Sequence, residues 1–138
     1  MQYNRSYQKL LRKMLTVEII GEKLYNALAL KVKDENLRAI CQKLAFNESK
    51  TAARIEKELK VYCGNTGMWY RIFISNAAIL FFSLFSARIL FVMLKNALKK
   101  RAYSLWHKLY NSTNQEFWDT LLLHENIQHE LLSQFWNN

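Results

Sequence analysis

Apolar residues recur along most of this chain at steps of three and four, the spacing that puts them on one face of an α-helix. In the opening third the series Leu10, Leu11, Met14, Val17, Ile20, Leu24, Leu28 and Val32 predicts a first helix over 6–32. "KDEN" interrupts it, and Asp34 offers a carboxylate that can accept from the open N–H groups of a following helix. Leu37, Ile40, Leu44, Ala45, Ala52, Ile55 and Leu59 then predict a second helix over 35–60. So short a connection makes the two antiparallel neighbours. "YCGNTG", 62–67, is the strong loop signal, with Gly64, Asn65 and Gly67 together. The following run is helical in composition but too long for one straight element, and a bend is expected between Ser83 and Ala87. Ser112, Thr113 or Asn114 can cap a last helix over 115–135.

Composition narrows the class. Gly numbers 3 and Pro 0 while apolar residues make up 51% of the chain, which leaves little material for sheet corners. The expected class is all-α, and 138 residues suit one domain. Within it we expect a helical hairpin over 6–60, the loop at 62–67, and a hydrophobic segment with a second hairpin over 68–136. Cys41 and Cys63 are too few and too far apart for a metal knuckle or a disulfide scaffold, and two free thiols in a reducing compartment are expected. The N-terminus lacks the apolar core of a secretory signal, and its basic, acid-free start reads as the opening of the first helix.

The net charge of +9 is unevenly placed. Residues 1–17 carry Arg5, Lys9, Arg12 and Lys13 without an acid, and residues 95–108 carry Lys95, Lys99, Lys100, Arg101 and Lys108 without an acid. The second cluster follows the most apolar stretch, 72–94, whose single charge is Arg88. A nucleic-acid binder has no use for a long apolar segment beside its basic patch, so lipid headgroups are the better match. Trp69 and Tyr70 stand at the other flank, as interfacial anchors would. Three readings of 72–94 stay open: a buried helix, a helix lying in a membrane surface, and a span that Arg88 would burden. Trp69, Tyr70, Phe81, Phe82, Phe85, Arg88, Lys95, Lys99, Lys100 and Arg101 are the residues expected at a membrane or partner. Trp106, Trp118 and Trp136 are read as core or interface packing, and "SQFWNN" as a tail able to dock on a neighbour.

Four segments together carry a resemblance: "VEIIGEKLYNALA", "LAFNESKTAARIEKEL", "ARILFVMLKNALKKRAYSLWHKLY" and "LLLHENIQHELL". In this order they resemble the four helices of the ferritin-like superfamily, in particular its rubrerythrin-like members and the ferritin-like domains associated with vacuolar-type iron transporters. The first two are also similar to the demethoxyubiquinone hydroxylase family, which is membrane-bound and has an apolar segment before its third helix. The resemblance implies an antiparallel four-helix bundle with an extra hydrophobic segment between helices 2 and 3. It also implies a carboxylate-bridged di-iron site, built from one Glu on each of two helices and a Glu-x-x-His pair on each of the others.

By that resemblance Glu18, Glu48 and His129 stand at ligand positions. Thr51 stands where a histidine is expected, Tyr103 where a glutamate is, and Asn126 where the glutamate before His129 is. Hydroxyl, phenol and amide neither bridge nor neutralise an iron pair, so no standard di-iron centre is expected. Glu125 or Glu22 turning inward would be needed to complete a smaller site. The plainer reading of Glu18, Glu48 and His129 is a buried polar network with Tyr103, and His124 and His107 are expected on the solvent side. No phosphate loop or nucleophile signature is present.

The expectation is therefore a non-catalytic structural or adaptor module, membrane-associated and part of a larger assembly. No cofactor is expected. The alternative is an iron-binding protein or oxidoreductase with a reduced metal site on Glu18, Glu48 and His129. Expected partners are an anionic membrane surface or membrane protein complex, and a protein partner or second copy, but not nucleic acid. The expected location is intracellular and membrane-associated, at a mitochondrial or bacterial inner membrane.

Overall fold

The computed structural model describes residues 2–64, 68–98 and 114–136. Asn65, Gly67, Lys99, Lys100, Arg101, Tyr103, Trp106, His107, Lys108, Ser112 and Thr113 lie outside these. The described residues are all-α, with no strand among them. The chain forms α1 (Gln2–Lys31), α2 (Glu35–Cys63), α3 (Met68–Ser83), α4 (Ala87–Leu98) and α5 (Gln115–Trp136).

The ends of α2 follow local chemistry. The Asp34 carboxylate accepts from the Leu37 N–H at 2.9 Å, filling one of the donors that a helix start leaves open. At the other end Gly64 takes φ 61° and returns its N–H to the Lys60 carbonyl, a left-handed turn that glycine enters without steric cost. α1 packs along α2, its start against the end of its neighbour: the Tyr7 hydroxyl donates to Glu58 and the Gln8 amide donates to the Tyr62 carbonyl. α3 and α4 lie against α1, and α5 lies against α2.

The apolar segment is divided. α3 ends at Ser83, whose hydroxyl donates to the Leu80 carbonyl, and α4 begins at Ala87. Lys31 at the end of α1 closes the gap, its ammonium donating to the carbonyls of Phe82 at 3.0 Å, Ser83 at 3.2 Å and also Phe85. A cation there meets the negative end of the α3 dipole. Among the described residues no helix is long and apolar enough to cross a membrane. The residues expected at a membrane or partner separate accordingly. Trp69, Tyr70, Phe81, Arg88 and Lys95 are exposed, but Phe82 is a core residue and Phe85 is packed against that core. Phe82 shares the inner face of α3 with Ala78, one turn away, and that face meets α1.

The core falls into two apolar clusters. One gathers Leu24, Tyr25, Leu28, Leu44, Phe82, Leu90 and Phe135; the other gathers Tyr7, Leu11, Met14, Ile55, Leu59, Phe117 and Trp118. On α1 the positions between them include Glu18, on α2 Glu48 and Thr51, and on α5 His124 and Gln128, all buried. A polar layer thus separates the clusters. Of the apolar face expected on α1, Leu11, Met14, Leu24, Leu28 and Val32 are buried, but at this level Val17 and Ile20 are exposed while Glu18 is inside. Along α1 the interior is polar at this level alone, so the apolar series there leaves the buried face.

Candidate metal centre

Helix geometry brings the layer together. Glu18 from α1, Glu48 from α2 and His124 from α5 each offer a donor atom, and these atoms lie within 4.8 Å of one another. The His124 Nε2 is 3.2 Å from Glu18 Oε2 and 3.7 Å from Glu48 Oε1. Both glutamates are fully buried, and His124 is 3% exposed. Two carboxylates so placed require compensating positive charge, because an unbalanced charge in a protein interior costs several kcal/mol or more. An imidazolium plus one carboxyl proton would supply it. So would one divalent cation beside a neutral imidazole.

The surrounding residues hold the donors in place. Thr51 Oγ1 lies 2.5 Å from His124 Nδ1, and the partner atom decides the tautomer. With the threonine accepting, Nδ1 carries the proton and Nε2 presents a lone pair to the carboxylates, as a metal-bound histidine requires. The Gln128 amide donates to Glu48 Oε1 at 2.8 Å and to the Tyr25 hydroxyl at 2.8 Å. The Asn47 amide donates to the His124 carbonyl at 3.3 Å, joining α2 and α5 beside the site.

Two of the three residues expected at ligand positions, Glu18 and Glu48, meet here, but His129 does not. His129 and Asn126 are exposed on α5, whereas His124, expected on the solvent side, is inside. The reason is rotation: Phe117, Leu121, His124, Gln128, Leu132 and Phe135 form one buried stripe at steps of three and four. One residue is about 100° of helix, so His129 leaves the stripe that Gln128 occupies. The stripe is present in the sequence, but matching "NIQH", Asn126 to His129, to a Glu-x-x-His pair gives a different register. Thr51, read as a lost ligand, instead supports the histidine. Glu22 and Glu125 are half-buried and outside the trio, and Lys23 donates to Glu22 at 3.2 Å.

These donors do not suit an iron pair. Thr51 is engaged with the imidazole and Gln128 with Glu48, leaving three described ligand groups where the ferritin-like pattern has six. They suit one divalent ion with affinity for mixed carboxylate and imidazole, such as Mn(II), Fe(II) or Zn(II).

No protein-family model, curated protein or solved structure matches this chain.

A third buried acid lies at the far end of the hairpin. Glu58, 3% exposed, accepts from the Tyr7 hydroxyl at 3.4 Å and from the Asn114 amide at 2.9 Å. Burial, then the Glu58 charge, raises the Tyr7 phenol well above its ordinary range. Asn114 also accepts from the Phe117 N–H at 3.2 Å, so one side chain caps α5 and binds it to α2. Glu58 went unnoticed in the sequence because it sits among ordinary helix-surface charges. Both cysteines are free.

Proposed function

We propose that this chain is a ferritin-like helical module with a structural, non-catalytic role, and that its core holds one divalent metal ion where the ferritin-like pattern holds two irons. The observation that carries this is the buried trio of Glu18, Glu48 and His124. Two carboxylates and a neutral imidazole balance one divalent cation, in a layer where imbalance is costly. The donors come from three helices, so an ion held by them would cross-link α1, α2 and α5, and its binding energy would become folding energy. Burial of every donor favours a closed, structural site, since catalytic metal sites keep an open position. The pairing of α1 with α2, and of α2 with α5, is compatible with an antiparallel bundle in which α3 and α4 both pack on α1.

A metal-free polar core is the second reading. It is favoured by Gln128, whose amide already bonds the Glu48 oxygen that faces His124. Anaerobic loading with Fe(II) or Mn(II), desalting and metal analysis by mass spectrometry distinguish the two. The metal reading predicts one ion per chain, lost in His124→Ala and kept in His129→Ala. It also predicts an affinity roughly 10–100-fold weaker in Thr51→Val, which removes the partner of the second ring nitrogen. Metal that is substoichiometric and equal in the parent protein and His124→Ala would instead support the metal-free core.

A further inference from the structure

A helix with one face on a core and the other in water should be polar outside, yet α3 is apolar on both faces. Its inner face presents Ala78 and Phe82 to the core; on the outer side Trp69, Phe73 and Leu80, with Leu84 just beyond the helix end, are each at least 68% exposed, and Asn76 is the exposed polar residue between Phe73 and Leu80. α4 extends the strip with Ile89 and Val92, also exposed. So many large apolar side chains exposed on neighbouring turns mark an interaction site.

Charge identifies the occupant. Between Glu58 and Glu116 there are eight Lys and Arg and no acid, so this segment carries nearly all of the chain's net charge of +9. Arg88 and Lys95 of α4 are exposed beside the strip. A second copy docked through the same face would bring two acid-free basic segments together, which is repulsive. Nucleic acid would use the cations but not the exposed leucines and phenylalanine. An anionic lipid surface uses both, because apolar side chains enter the acyl boundary while Lys and Arg stay among the phosphates. α3 has 16 residues and is about 24 Å long at 1.5 Å per residue, shorter than the roughly 30 Å hydrocarbon layer.

We infer that α3 and α4 lie in the plane of an anionic membrane surface, with Trp69, Phe73 and Leu80 inserted and Arg88 and Lys95 among the headgroups. Neither the metal ion nor the polar layer is needed for this binding. Arg88 fits the arrangement because its aliphatic stem can run along the apolar strip while its guanidinium reaches phosphate.

Flotation of the full chain with vesicles of phosphatidylcholine, alone or mixed with phosphatidylserine, tests the inference. Binding should favour the anionic vesicles roughly tenfold or more and weaken with salt. Arg88→Glu with Lys95→Glu should weaken it by roughly another tenfold. Phe73→Ser with Leu80→Ser, at exposed positions and checked for helicity by circular dichroism, should weaken it comparably. Brominated lipid should quench tryptophan emission, and Trp69→Phe should lower that quenching while flotation persists. Failure to float with either vesicle overturns the inference. So does binding untouched by the Phe73/Leu80 pair but competed by nucleic acid, which would indicate a general polyanion site. Vesicle-independent self-association that shields Trp69 would assign the strip to a second copy and also overturn it.

Discussion

Gly21 sits one turn after Glu18, and Glu48 leans into the space that a side chain there would fill. A Cβ at Gly21 would stand 2.7 Å from Glu48 Oε2 and 3.1 Å from its carboxyl carbon. Alanine is the better helix former by about 1 kcal/mol, so an unobstructed Gly21→Ala would stabilise. Here Gln128 holds the other carboxylate oxygen, which limits how far Glu48 can swing. The expected outcome is a net loss of about 1–2 kcal/mol in thermal melts, together with weaker Mn(II) binding. A gain in stability with unchanged binding would show that Glu48 moves freely. At the second polar cluster and in the core, two protons control the alkaline limit. Burial pushes the Cys41 thiol from 9.0 up to about 11, and the Tyr7 phenol is raised above its ordinary value of 10.0. Both groups are kept neutral by folding while the unfolded chain ionises, so their stabilisation is complete below pH 9 and is lost as pH rises. Urea melts should therefore show stability falling from about pH 9 upward. Cys41→Ala should flatten the first part of that decline, between about pH 9 and 11.

At the scale of the helices, caps were legible and long-range supports were not. Asp34 and Gly64 announce themselves through neighbouring residues, because capping is a local interaction. The break at 84–86 falls in the serine-bearing stretch where a bend was expected, but Lys31, which holds it, lies more than fifty residues earlier. No local pattern links them. Lys31→Met should cost about 1–2 kcal/mol by removing charge-assisted bonds to the end of α3. Hydrogen exchange should accelerate locally around 82–86; unchanged protection there would mean that solvent satisfies those carbonyls equally well. The all-α class was readable from periodicity and the scarcity of turn residues. The faces of α1 and α5 were less so, since His124 and Gln128 continue an apolar stripe that looks interrupted when only hydrophobic letters are followed.

Across the whole molecule, two apolar clusters supply burial and the polar layer between them supplies specificity. Glu18, Gly21, Glu48, Thr51, His124 and Gln128 come from three helices, and their roles emerge only once those helices are in contact. The acid-free apolar segment faces away from α1 on its outer side, so a metal at the layer and lipid at α3–α4 can be addressed by separate substitutions. The most direct measurement is electron spin-echo spectroscopy of bound Mn(II), which detects nitrogen coupled to the ion. One isolated Mn(II) per chain with one coupled imidazole nitrogen is expected, abolished by His124→Ala and preserved by His129→Ala. A magnetically coupled ion pair, or a nitrogen signal indifferent to His124→Ala, would contradict it.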